Sequence, residues 1–267
     1  MNAPPDLIEA LALAKPDLAR AIACFERDGF ARLGPVLSPT GQALLGARLE
    51  DLMLARVPND GLFFQRDSAS GRYEDLRFGR GFEGPSLEYR KVEKLERDPL
   101  FRAFIENPLF ERIARSVIEG PIALYRAVVF SKSKTGGTSL PWHQDAGDFW
   151  GIDRLPSLQI WTALDDAQEE AGCVEVVPQS HLRGLATPKG GTIPDLLIEP
   201  EVRAGRVLKL PARAGESLLI HNLLWHRSGV NTSGRRRAAL SVSYISAGTR
   251  CLRKRRAPRE FVRVFER

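Results

Sequence analysis

Histidine is scarce in this chain, with four among 267 residues. Any metal centre built on imidazole must draw on His143, His181, His221 and His226. Cysteine is scarcer still. Cys24, Cys173 and Cys251 are scattered and odd in number, which excludes a disulfide framework or a cysteine-rich zinc site and points to reduced thiols in a cytoplasmic protein. No apolar run is long enough to span a membrane. The stretch Met1–Asp6 lacks the basic segment and apolar run of a secretory leader. There is no internal repeat and no low-complexity block. What is present is a 43% hydrophobic composition, enough to bury a full core, so the expectation is one domain over 1–267.

The net charge of +6 is local. Arg250 to Arg267 carries eight basic residues against Glu260 and Glu266, and the rest of the chain balances. A run such as Arg253-Lys254-Arg255-Arg256 suits nucleic acid or anionic lipid. A solvated tail, or one packed through Phe261, Val262, Val264 and Phe265, is the favoured reading, so nucleic-acid binding is not expected. Removing the chain from Arg253 onward is then expected to leave ligand binding intact.

Helical periodicity covers 17–27, 38–55, 99–106 and 110–118, with Ser38 as an N-cap before Pro39 and a short strand at 30–33 after the first helix. After Gly120-Pro121 the pattern changes to short strands: 123–131, 158–164, 174–177, 207–210, 217–220 and 237–246. A helical part over 1–120, a strand-rich core over 121–247 and a basic tail over 250–267 predict a mainly β chain with flanking α-helices, a double-stranded β-helix or jelly roll. Two long segments, 57–88 and 182–204, read as loops that flank the mouth of the barrel and form a lid.

The chemistry gathers at Trp142-His143-Gln144-Asp145. On an extended strand His143 and Asp145 project to one face. A second histidine completes a two-histidine, one-carboxylate set, which suits non-haem Fe(II) with positions left open. His226 ranks first for that place, ahead of His181 and His221. A dicarboxylate cosubstrate needs a fixed cation, and arginine's planar fork supplies one. Of Arg235, Arg236 and Arg237, the last alternates with the small residues Ala239, Ser241 and Ser243, a face with room for a ligand. Arg236 alternates with larger residues and reads as a solvated turn residue, while Arg235 is the runner-up. Trp161 shares a face with Gln159 and Ala163 and either walls the pocket or fills the core. The aromatics Phe63, Phe64, Phe149 and Trp150 suggest a partly apolar substrate.

Taken in order, Phe25-Glu26-Arg27-Asp28-Gly29-Phe30, Trp142 to Asp145, Trp161 to Asp166, Gly172 to Pro178, Ser180-His181 and His226 to Asn231 resemble the phytanoyl-CoA dioxygenase family of Fe(II)/2-oxoglutarate oxygenases. The resemblance implies a cupin-like fold, iron on His143, Asp145 and His226, and the distal carboxylate of 2-oxoglutarate on Arg237, assisted by Ser228. It places Gln144, Trp161 and Lys91 on the same ligand. Gln179 departs from the family, which usually has glycine there.

The activity so implied takes 2-oxoglutarate and O2 to succinate and CO2 while oxidising a small molecule. Hydroxylation is expected first; desaturation, epoxidation and ring closure share the cofactor chemistry. A carboxylate ligand at Asp145 leaves no vacancy for chloride and argues against halogenation. CoA thioesters would use a basic surface such as Arg250 to Arg259. A non-catalytic cupin-like binder and a basic-tailed nucleic-acid binder are the alternatives of another class.

Overall fold

The computed structural model describes residues 15–134, 136–253 and 259–266. Met1–Asp6 and the basic residues 254–256 lie outside the described residues. The N-terminal part runs α1 (Lys15–Asp28), β1 (Phe30–Pro35), α2 (Pro39–Met53), β2 (Phe63–Arg66), β3 (Tyr89–Glu93), α3 (Pro99–Ile105) and α4 (Pro108–Val117). Then come β4 (Ile122–Lys132), β5 (Leu140–Gln144), β6 (Leu158–Ala163), β7 (Val174–Val177), β8 (Gly191–Thr192) and α5 (Asp195–Arg203). The chain closes with β9 (Leu208–Leu210), β10 (Glu216–Ile220), β11 (Trp225–Ser228), β12 (Arg237–Ser246) and β13 (Val262–Phe265).

The strands form two sheets. The larger has eight strands in the order β1-β10-β6-β12-β4-β3-β2, with β13 also paired to β4. The smaller has five, β8-β5-β11-β7-β9. Two antiparallel sheets with crossovers between them are the jelly roll expected from the strand pattern.

Helix starts follow local chemistry. Ser38, Asp98 and Asn107 each accept a hydrogen bond from a first-turn N–H and each precedes a proline. The four helices up to α4 cover the outer face of the large sheet. Phe25, Leu45, Leu49, Phe101 and Phe110 pack there against Leu240, Val242 and Tyr244 of β12. The alternate residues of β12 face inward, where Ala239 joins Trp161, Val174 and Val176 between the sheets. The period-two alternation of β12 thus separates a greasy outer face from an inner face with small residues.

Two expectations need correction, and the structure chooses between the alternatives of a third. The part before residue 120 is not merely helical: β1 forms over the strand expected at 30–33, and β2 and β3 extend the large sheet on its other side. Segment 182–204 is not one loop; it contains β8 and α5. Of the two readings of the C-terminal residues, solvated or packed, the packed one holds. β13 pairs with β4 at Leu124 and Ile122, beyond the end of the β3 pairing, and Phe265 is 4% exposed against Tyr244. Phe265→Ala is therefore expected to cost about 3–5 kcal/mol. Thermal unfolding should show truncation at Arg253 lowering stability by at least as much; an unchanged melting temperature would count against this packing.

Candidate metal and oxo-acid site

The β5–β11 register sets His143 directly opposite His226. Their ring centroids are 4.1 Å apart. Asp145 lies one residue past β5, its N–H donating to Asn222 O. Its carboxylate oxygens stand 3.9 Å from His143 Nε2 and 3.7 Å from His226 Nε2. One ligand atom from each of the three residues lies within 4.8 Å of the others.

Each imidazole is oriented by its own strand. His143 Nδ1 donates to Pro141 O at 2.8 Å, and His226 Nδ1 donates to Leu224 O at 2.9 Å. A carbonyl can only accept, so the proton sits on Nδ1 and the Nε2 lone pair is free for a metal. Burial, then the neighbouring His226, lowers the His143 pKa to about 4, so the ring is neutral at pH 7. Burial, the largest single influence, works against ionising Asp145, but Arg126, the two histidines and the Gln159 hydrogen bond together outweigh it and hold the carboxyl below the usual range. Arg126 lies 3.2 Å from Asp145 Oδ2, and the Gln159 amide donates to that oxygen at 2.7 Å. Ser241 in turn donates to Gln159 Oε1 at 3.0 Å. The donor set fits a divalent metal: two imidazoles, one carboxylate, and hydrogen-bond partners behind each.

These groups open on a cavity of about 640 Å³. Arg237 enters its wall from β12 and is 3% exposed. It donates to Gly172 O at 2.6 Å and Ala171 O at 3.4 Å and has no carboxylate partner among the described residues. Burial brings its pKa down to about 10, still charged at neutral pH. Ser228 and Trp161 line the same cavity, Trp161 opposite Ser241 across β6 and β12. Both long segments reach it, through Tyr73 and Phe78 on one side and Thr187, Lys189 and Gly190 on the other.

The remaining sequence expectations divide. Lys91 lines the cavity but is paired with Glu93 at 2.6 Å. Gln144 lines the cavity too, though its polar atoms are bonded elsewhere. Its amide donates to Gly184 O and Leu223 O and accepts from Ala186 N, because alternation turns it away from the face of His143. Phe64 is a core residue packed edge-on to Phe82 and tilted against Tyr89. Phe63, beside Lys91, is not on the cavity wall either. Phe149 and Trp150 do line it. Arg236 points away from the cavity as alternation requires, but it is held by Asp165 and Glu50 and is not a solvated turn residue. Arg235 is exposed. His181 and His221 form a separate pair with rings 5.0 Å apart, His181 bonding Glu26 O. Gln179 has φ 64°, the left-handed region that glycine adopts most readily.

The family model described as phytanoyl-CoA dioxygenase matches residues 25–239, most of the chain. This chain belongs to the phytanoyl-CoA dioxygenase family. Among curated relatives, phytanoyl-CoA dioxygenase domain-containing protein 1 of Mus musculus is 30% identical over 158 residues, 56% of this chain and 54% of that protein. L-proline trans-4-hydroxylase of Streptomyces griseoviridis is 29% identical over 170 residues, 55% of this chain and 63% of the hydroxylase. The chain thus spans about half to two thirds of the length of these relatives. Among solved structures, the epimerase SnoN in complex with Fe3+, alpha ketoglutarate and nogalamycin RO superposes with a TM-score of 0.69 at 20% identity, covering 91% of this chain and 88% of that one. That likeness establishes a shared fold.

Within this phytanoyl-CoA dioxygenase family chain, sequence reasoning passed over two residues that touch Asp145. Arg126 sits mid-strand in an apolar run, and Gln159 is an ordinary polar residue two before Trp161. Only the sheet order, which lays β6 beside β12 and β12 beside β4, brings them together. Gln159→Ala is expected to weaken Fe(II) binding by roughly 10- to 100-fold, the usual loss when a ligand's supporting hydrogen bond is removed. His181→Ala should leave it unchanged, and equal metal affinity in both variants would refute the supporting role of Gln159.

Proposed function

We propose that this protein is an Fe(II)- and 2-oxoglutarate-dependent dioxygenase that hydroxylates an unactivated C–H bond of a small, partly apolar molecule. The observation that carries this reading is the convergence of His143, Asp145 and His226 at a cavity that also contains Arg237, a buried cation without a carboxylate partner among the described residues. When bound, iron and 2-oxoglutarate supply the oxidising power, with succinate and CO2 as products. The chain's own residues bind, orient and exclude. His143, Asp145 and His226 hold the metal on one side and leave the cavity side open. Arg237, with Ser228 beside it, holds the distal carboxylate of the oxo-acid, and Trp161 walls that end. Arg126 and Gln159 keep Asp145 ionised and aimed.

Segments 57–88 and 182–204 form the lid that keeps water from the reacting carbon. Residues 1–267 act as one catalytic unit, a reading supported by the pairing of β13 with β4. No helix of the described residues is long and apolar enough to cross a membrane, and Cys24, Cys173 and Cys251 are free thiols, which suits a reducing, cytoplasmic setting. The test is succinate release from 2-oxoglutarate under O2 in the presence of a compound panel. Release should fall to background after chelation and return with Fe(II). A protein that binds no Fe(II) and consumes no 2-oxoglutarate is a cupin-like binder instead.

A further inference from the structure

The cavity contains more buried positive charge than iron and the oxo-acid use. Three cations stand in a row across neighbouring strands. Arg237 of β12 pairs with Lys132 of β4, and Arg90 of β3 adjoins Lys91, whose β4 partner is Phe130. The position of Arg90 comes from a bulge. Gln65 pairs with Lys91 and Arg66 with Tyr89, so Arg90 is an extra residue with no opposite number on β2. Simple alternation would send Arg90 and Lys91 to opposite faces. The bulge sends both to the cavity, while Tyr89 and Val92 stay in the core.

The other cations on the wall are accounted for. Arg126 faces Asp145, Lys91 faces Glu93, Arg227 faces Glu175, and Lys189 is exposed to solvent. Lys132 donates to Thr138 O at 2.5 Å, and burial together with Arg237 and Arg90 pushes its ammonium well below the usual lysine range. Arg237 is taken by the oxo-acid. Arg90 is left. It is 8% exposed, donates to Gln65 Oε1 at 2.8 Å, and lies 6.0 Å from the Phe130 ring centroid. No carboxylate lies within ion-pair distance of it among the described residues. Asp67, the acid whose charge acts most strongly on it, uses Oδ1 to hold Ser68 and Thr138. A guanidinium has five N–H donors, and a buried cation without a counter-ion is costly. An anion entering the cavity relieves that cost.

The position is also right for a small molecule. Arg126 lies 6.0 Å from the same Phe130 centroid, so the two guanidinium carbons are at most about 12 Å apart, and Arg126 touches Asp145. We infer that the primary substrate is a small acid, a carboxylate or a phosphate monoester, whose anionic group seats on Arg90 while its reacting carbon lies at the His143–Asp145–His226 end. This rests on the cofactor reading above and adds the substrate class to it.

The experiment uses matched probes on one skeleton: hexanoate, hexanamide, hexyl phosphate and hexanol, with 3-phenylpropanoate and its amide as a second series. Each is titrated anaerobically into the Fe(II)–2-oxoglutarate protein, following the perturbation of the charge-transfer band. In the parent protein the acids should bind and their neutral partners should not; which acid wins separates carboxylate from phosphate. Arg90→Gln should weaken the acid by roughly 30- to 5,000-fold, the range for truncating a hydrogen-bonded charge pair. Its 2-oxoglutarate midpoint should stay within about threefold, which also shows that the variant is folded. The inference is overturned if no acid binds better than its neutral partner, or if Arg90→Gln leaves the acid unaffected. It is overturned too if that variant loses 2-oxoglutarate itself, since Arg90 then belongs to the oxo-acid site. A parent protein that gives no charge-transfer band overturns the cofactor reading, a failure distinct from the others.

Discussion

Replacing His226 with alanine is expected to abolish stoichiometric Fe(II) binding. His226 Nε2 stands 3.7 Å from Asp145 Oδ2, and the ring faces His143 across the β5–β11 ladder. Its Nδ1 is already committed to Leu224 O, so the ring presents a single lone pair to the metal. Removing one of three protein donors should exceed the roughly 10- to 100-fold loss that follows from deleting a supporting hydrogen bond. His143→Ala and Asp145→Ala should behave alike. The control is the other histidine pair. His221 accepts from the Leu223 N–H and packs against His181 and Phe25, away from the cavity. His221→Ala and His181→Ala should therefore retain one Fe(II) per chain. Anaerobic Fe(II) titration with metal analysis decides it, and equal loss in all of these variants would show that the assignment reads fold damage rather than ligation.

Arg237→Ala should leave Fe(II) binding in place and raise the dissociation constant of 2-oxoglutarate by roughly 30- to 5,000-fold, corresponding to about 2–5 kcal/mol for truncation of a hydrogen-bonded charge pair. The guanidinium is buried and still charged, and its only described partners are the Ala171 and Gly172 carbonyls, so a carboxylate is the partner it lacks. Arg236→Ala tests the register. Its side chain bridges Asp165 and Glu50 on the outer face, so its loss should appear as lower thermal stability with a 2-oxoglutarate midpoint changed by less than about threefold. Titration of the Fe(II)–2-oxoglutarate charge-transfer band in each variant makes the comparison. A normal midpoint in Arg237→Ala together with a lost band in Arg236→Ala would mean that β12 faces the other way.

Much of this was written along single segments. Two residues of spacing aim His143 and Asp145 to one side of an extended chain, and the small residues after Arg237 mark the inner face of β12. Those are local rules, and they needed no knowledge of neighbours. The choice of Phe63 and Phe64 as cavity residues failed because an aromatic in an irregular stretch carries no periodic signal saying which way it faces.

The sequence by itself determined the chemistry on offer: which histidines exist, which carboxylate stands two residues from one of them, and which arginine alternates with small side chains. The tertiary structure alone decided which of these meet. His226 rather than His221 faces His143 because the β5–β11 register, a pairing across 83 residues, places it there. Arg126 and Gln159 reach Asp145 because the order of strands in the large sheet sets β4 and β6 on either side of β12. Arg90 joins the cavity because one unmatched residue in β3 reverses the alternation. Register, strand order and bulges come from hydrogen bonds between distant segments, and no window of neighbouring residues contains them.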